Sequence, residues 1–105
     1  MSIDERPAQK HPRFELESTL AHPVRFSIVA ALAAVESLVF GELRDQLGVS
    51  DSVLSKQISE LESAGFVAVS KGFVGKRPRT SLKLTRDGYA RWTRHLAALQ
   101  KIAGL

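Results

Sequence analysis

Cysteine is absent from this 105-residue chain. That removes disulfides, thiolate metal sites and a cysteine nucleophile together, and it fits a reducing, cytoplasmic setting. No apolar run approaches the ~18 residues that a membrane span needs, so no membrane partner is expected. The stretch from Met1 to Phe14 is polar and carries no apolar h-region of a secretory leader. There is no glycine-rich phosphate loop, because Gly72 and Gly75 fall where a hairpin is expected. Ser, His and Asp are all present, but no arrangement sets a base beside a nucleophile. His11, His22 and His95 are spaced too irregularly for a metal motif such as an i, i+4 pair on one helix. No repeat or low-complexity segment is visible. The chain is therefore expected to be no enzyme and to need no metal or cofactor.

What is present is one small domain's worth of chain, 44% apolar, enough for a modest core. The net charge of +4 is unevenly spread. Residues 1–50 hold five Lys/Arg against seven Asp/Glu, a net of −2, and residues 51–105 hold ten against four, a net of +6. A polyanion would be met by the C-terminal half.

Residues 1–13, with Pro7 and Pro12 among charges, read as a mobile arm, and 14–105 as the folded domain. Phe14, Leu16 and Leu20 suggest a short helical lead-in. His22-Pro23 opens a helix to about Ala34. Val24, Ile28, Ala31, Leu32 and Val35 make its main apolar face, and Phe26, Ala30 and Ala33 make its far side apolar too. Two apolar sides imply two covers, and the second is expected to be another subunit. Leu38-Val39-Phe40 reads as a brief strand, and Gly41 to Leu47 as a short helix closed by Gly48. Ser50 caps the next helix and Asp51 favours its dipole. Phe66 to Ser70 and Ser81 to Leu84 read as two strands joined by a loop, Lys71 to Thr80. Thr85 opens the last helix, whose apolar stripe is Tyr89, Trp92, Leu96, Leu99 and Ala103. The fold class is mainly α with a small β-hairpin (α+β): three core helices, a wing and a C-terminal helix, a winged helix-turn-helix.

The helix over about 50–64 is unusual on its outer side. Leu54, Ile58 and Leu61 recur at helical spacing on the inner face. The outer face carries Ser52, Ser55, Lys56, Ser59 and Ser63, slim groups that donate hydrogen bonds, where a solvated helix is usually filled with Glu, Lys and Arg. Together with Gln57, these residues are candidates for phosphates and base edges, Ser63 apart. The basic wing, 72–80, supplies Lys76, Arg77 and Arg79 for phosphate or the minor groove, with Pro78 stiffening its tip and Lys71 and Lys83 flanking it. Arg44 is a further backbone candidate. Arg25 beside the first core helix is expected in an internal salt bridge.

Three segments carry a resemblance. His22-Pro23-Val24-Arg25-Phe26-Ser27-Ile28-Val29 resembles the start of the first core helix of MarR- and ArsR-type bacterial regulators. Val53 to Val67 resembles their recognition helix and following strand, and Lys76 to Gly88 their wing and the opening of the final helix. The match is to compact, stand-alone MarR-like domains and covers roughly Phe14 to Leu105. It implies a dimeric, sequence-specific regulator of transcription that binds double-stranded DNA. The chain lacks the longer terminal helices that build the ligand pocket of full-length MarR proteins, and lacks the Cys or His ligands of ArsR metal sensors, so a small-molecule effector is left unassigned. The alternative class is a protein-interaction winged helix without DNA function.

A dimer would read a pseudo-palindromic site with half-sites about one helical turn, roughly 34 Å, apart. The expected interface draws on Phe14, Phe26, Trp92, Leu96 and Leu99.

Overall fold

The structure, a computed structural model, describes residues 10–105. Two short 3-10 turns, Pro12–Glu15 and Ser18–Ala21, lead into α1 (Pro23–Ala33), β1 (Leu38–Val39), α2 (Phe40–Leu47), α3 (Asp51–Ser63), β2 (Val67–Val74), β3 (Arg77–Leu84) and α4 (Arg86–Ala103). The sheet is antiparallel in the order β1-β3-β2. This is the winged helix-turn-helix expected from the pattern. The lead-in differs: it forms two 3-10 turns instead of a helix. The first turn includes Pro12 and Arg13, which had been assigned to the mobile arm. The remainder of the arm, before Lys10, lies outside the described residues.

Three of the four α-helices, α1, α3 and α4, start where a side chain takes an orphan backbone donor. The His22 Nδ1 accepts from Val24 N–H at 3.1 Å, with Pro23 next at the first helical position. The Ser50 hydroxyl accepts from Val53 N–H at 3.2 Å, and the Thr85 hydroxyl from Gly88 N–H at 2.8 Å. Between α2 and α3 the chain turns sharply at Gly48, whose φ of 65° is left-handed and costs glycine little.

The core gathers Ile28, Val29 and Leu32 of α1, Leu43 of α2, Leu54, Ile58 and Leu61 of α3, Phe66, Val67 and Leu82 at the base of the hairpin, and Trp92 of α4. The far side of α1 is partly covered by the chain's own α4. Phe26 lies against Trp92 of the same chain, ring centroids 4.9 Å apart, and near His95 at 6.0 Å. Trp92 is 8% exposed, so it is enclosed by its own chain and is not an interface residue. The buried line of α4 is Gly88, Trp92, His95 and Ala98. Tyr89, placed in the apolar stripe from its spacing, is exposed instead. Arg25 is internal as expected but bonds neutral groups: its Nε donates to Thr19 O at 2.7 Å and its Nη1 to Gln57 Oε1 at 2.9 Å.

The lead-in is strapped to α4 by charge. Arg91 Nη2 meets Glu17 Oε1 at 2.7 Å, and Arg94 reaches Glu17 Oε2 at 3.3 Å and Glu15 Oε2 at 3.2 Å. Hydrogen bonding from Arg91, against the cost of burial, holds the Glu17 carboxyl below its ordinary pKa. The backbone N–H of Glu17 donates to His95 Nδ1 at 3.0 Å. Burial lowers the His95 pKa, outweighing the pull of the Glu17 carboxylate.

Gly88 sits where α4 crosses the start of β2, and a Cβ there would collide with the backbone carbonyl of Phe66. Alanine is the better helix former by about 1 kcal/mol, but overpacking against rigid backbone costs about 1–3 kcal/mol. Gly88→Ala is therefore expected to lower the melting temperature by several degrees; a variant melting as high as the parent would contradict the close approach.

The His95 arrangement makes stability depend on pH. Unfolded, the imidazole protonates near ~6.5; folded, it stays neutral to lower pH, so the unfolded chain binds more protons in that interval. Stability is then full above ~6.5 and falls as pH drops through the folded-state pKa. Melting curves from pH 7.5 to 5 are expected to show this loss, and His95→Gln to flatten it.

Candidate nucleic-acid interface

Two elements face each other across an open groove: the outer side of α3 and one face of the β2–β3 hairpin. The α3 side chains divide sharply. Leu54, Gln57, Ile58 and Leu61 are buried, while Ser52, Val53, Ser55, Lys56, Ser59 and Ser63 are exposed. Four of the five α3 candidates thus stand on the open face, Ser52, Ser55, Lys56 and Ser59. Gln57 does not. It is 7% exposed and its amide oxygen is held by Arg25, so it supports the helix from behind and does not reach the open face. A buried amide with a guanidinium partner is satisfied where it stands.

Val53 was missed by sequence reasoning. It is a large apolar side chain, 40% exposed, in the first turn of α3. The signal was its position: it lies off the Leu54–Ile58–Leu61 line and hence on the outer face.

Beside this turn, Arg44 of α2 bonds Asp45 and Asp51, both at 2.9 Å. Its hydrogen bonds to Asp45 and then Asp51 raise its pKa further above the ordinary value. The pairing neutralises Asp51, the acid at the head of α3. It also occupies Arg44, which had been a candidate for nucleic-acid backbone.

The wing is not a loop. The β2–β3 ladder continues outward from Val67↔Leu84 to Val74↔Arg77, leaving a two-residue turn, Gly75-Lys76. Gly75 has φ 63°, as a tight hairpin turn requires. Pro78 lies within β3, opposite Phe73, and not at the tip. β1 pairs only with Leu82 and Ser81, so at Pro78 the strand has already lost one neighbour and tolerates a missing donor.

Cross-strand partners share a face, and the faces alternate. Val67, Val69, Lys71 and Phe73 face one way with Leu84, Leu82, Thr80 and Pro78, because Val67 and Leu82 are in the core. This face looks onto α3. The groove between them, about 460 Å³, is lined by Ser55, Ile58, Ser59 and Glu62 of α3 and Val69, Lys71, Thr80 and Leu82 of the hairpin, with Phe40. Arg77 and Arg79 fall on the opposite face, opposite Val74 and Gly72, and Lys76 sits in the turn. The structure therefore brings Lys71, a flanking residue in the sequence reading, to the groove, and spreads the other three cations around the hairpin's end. From Val67 to Leu84 there are five Lys/Arg and no acid, so the hairpin offers a polyanion nothing that repels it.

Of the interface candidates on α4 and the lead-in, Leu96 is half-buried, Leu99 is 37% exposed and Phe14 is 62% exposed. Ile102 and Leu105, not singled out before, are also exposed. Among the described residues no group of His, Cys, Asp and Glu is arranged to hold a metal, and no helix is long and apolar enough to cross a membrane.

Comparison with known proteins agrees with this fold. Residues 24–103 match the family described as "Winged helix DNA-binding domain", and the chain belongs to that family. A transcriptional regulator homologue from Pyrococcus horikoshii has the same fold, with a TM-score of 0.80 and 27% identity, over 88% of this chain and 92% of that one. An uncharacterised protein of Methanocaldococcus jannaschii is 34% identical over 65 residues, 62% of this chain and 71% of its own length. A biofilm growth-associated repressor of Xylella fastidiosa is 42% identical over 52 residues, half of this chain and 45% of the repressor. The fold is shared with MarR itself at 18% identity and a TM-score of 0.71, a likeness of fold alone.

Proposed function

We propose that this chain is a sequence-specific regulator of transcription that binds double-stranded DNA as a homodimer. One observation carries the reading: a slim polar helix face and an acid-free basic hairpin stand on the two sides of one groove. α3 enters the major groove with Ser52, Val53, Ser55 and Lys56 towards base edges and Ser59 towards the groove wall. Serine and lysine serve phosphates or bases, and a valine methyl suits the thymine methyl. The hairpin then lies on the adjacent backbone or minor groove, with Lys76, Arg77 and Arg79 on phosphates. The regulator and repressor names among the similar proteins support the same role.

The dimer reading rests on the end of α4. Leu99 and Ile102 are exposed on its last turns, Leu105 is exposed beyond its cap, and Phe14 is exposed on the lead-in turn. A terminal helix with that much apolar surface in water is better explained by a second copy than by solvent. Trp92 drops out of this interface because it is enclosed within one chain, while Phe26 is half-buried against it. Trp92 emission should accordingly report folding and stay constant on dilution.

The test is selection from a random duplex pool followed by titration of variants on the recovered operator. Lys76→Ala, Arg77→Ala and Arg79→Ala together are expected to weaken binding to all duplexes, flattening the salt dependence by about 0.9 per lost phosphate contact. Thermal stability should stay within about 1 kcal/mol, as for surface changes. Ser55→Glu should abolish operator binding with native circular dichroism, because a longer, negatively charged side chain on that face would block the close approach of α3 to the DNA. Normal binding by both variants would remove α3 and the wing as the DNA-binding surface, and a parent protein that binds no duplex would favour the protein-interaction reading.

Assembly has its own readout. Leu99→Glu is expected to give a folded monomer by light scattering, with operator affinity down roughly 100-fold as the second half-site is lost. A parent protein that is monomeric yet binds its operator fully would remove the dimer.

A further inference from the structure

The polar and charged groups of the interface leave one feature unused. Phe73 is 73% exposed near the end of the hairpin, the most exposed of the chain's described aromatic side chains. Its cross-strand partner is Pro78. Together they form an apolar tip on the face of the hairpin that looks towards α3. Around it, within two residues along either strand or in the turn, stand Lys71, Lys76, Arg77 and Arg79.

We infer that Phe73, backed by Pro78, is a wedge that enters the minor groove of bound DNA and opens a base step. The inference rests on the DNA-binding reading above. Three observations select this occupant. First, the cations that ring the tip call for a polyanion, and a groove walled by phosphates meets charge and apolar ring at once. Second, the tip is narrow. A two-residue turn presents a single large ring, which suits a groove ~6 Å wide that excludes a helix. Apolar wedges of this kind unstack a step and kink the duplex. Third, the reach fits. Val69 lines the inner groove beside α3, and four residues of strand at ~3.3 Å each carry Phe73 about 13 Å further out. The minor groove next to a major-groove helix lies about half a turn, ~17 Å, along the duplex. The ladder on both sides and the fixed φ of Pro78 keep the ring from collapsing onto its own hairpin.

The consequence is specificity without a base contact. A wedge favours steps that unstack easily, TA or CA, and disfavours stiff A-tracts. The chain would therefore select its operator partly by deformability at one step beside each α3 half-site.

The experiment uses the full chain and the duplex recovered by selection. 2-Aminopurine is placed in turn at each position flanking the α3 half-site. With the parent protein, fluorescence should rise several-fold at one step. Replacing that step by an A-tract should weaken binding roughly tenfold. Phe73→Ala should lose both effects while keeping the melting temperature and the salt slope, because no phosphate contact is removed. Phe73→Leu should keep part of each. A parent protein that binds its operator while every 2-aminopurine stays quenched overturns the wedge and leaves the DNA reading standing. So does a Phe73→Ala variant with undiminished step preference, or one whose only change is in self-association. A parent protein that binds no duplex overturns both.

Discussion

The placement of the hairpin depends on one joint, where α4 closes over the corner between α3 and β2. Phe66 is fully buried there, and its carbonyl accepts from Thr85 N–H at 2.9 Å. The Thr85 hydroxyl donates to Gly65 O at 2.6 Å. Gly88 lets α4 approach the Phe66 carbonyl, and Arg91 covers the Phe66 ring at 4.0 Å while donating to Ala64 O at 2.7 Å. β2 leaves this corner and β3 returns to it. The angle between α3 and the wing is therefore set at the joint, far from the exposed end that would meet DNA. Such packing of rigid backbone against rigid backbone is what holds a two-stranded ribbon steady, since a lone hairpin is marginal in water.

Charge is sorted by the same architecture. Glu15 and Glu17 are taken up by Arg91 and Arg94, Asp87 by Arg91, and Asp45 and Asp51 by Arg44. None of the ion pairs among the described residues reaches the hairpin. Glu15 and Glu17 of the lead-in pair with cations of α4, and the basic residues of the wing are left without acidic partners among the described residues. The half-buried pair of this network, Arg91 and Glu17, fixes the lead-in on α4. The exposed pair at Arg44 contributes little to stability and acts chiefly by neutralising an acid beside the reading helix.

Much of the fold was legible because it rests on local chemistry. Ser50 and Thr85 cap as their types and positions imply, Gly48 turns left-handed, and Leu54, Ile58 and Leu61 face inward as their period requires. The open face of α3 followed from the same period. Less legible was any residue whose role depends on a distant partner. Gln57 shares the inward face by spacing but looks polar; only Arg25, supplied by α1, makes its burial tolerable. Phe26 suggested a missing subunit until α4 delivered Trp92 to it.

Sequence alone determined which segments are helices, where they begin, that the hairpin is basic and acid-free, and that one helix has a slim polar side. These properties live within a few residues, where capping, periodicity and composition act. Tertiary structure decided the rest. It extended the ladder out to Val74↔Arg77 where glycine, proline and charge had read as a loop, because an exposed ribbon needs paired backbone and no burial. Register then sent Lys71 and Phe73 towards α3 and Arg77 and Arg79 away from it, since a strand's two faces are assigned only when its base is anchored in a core.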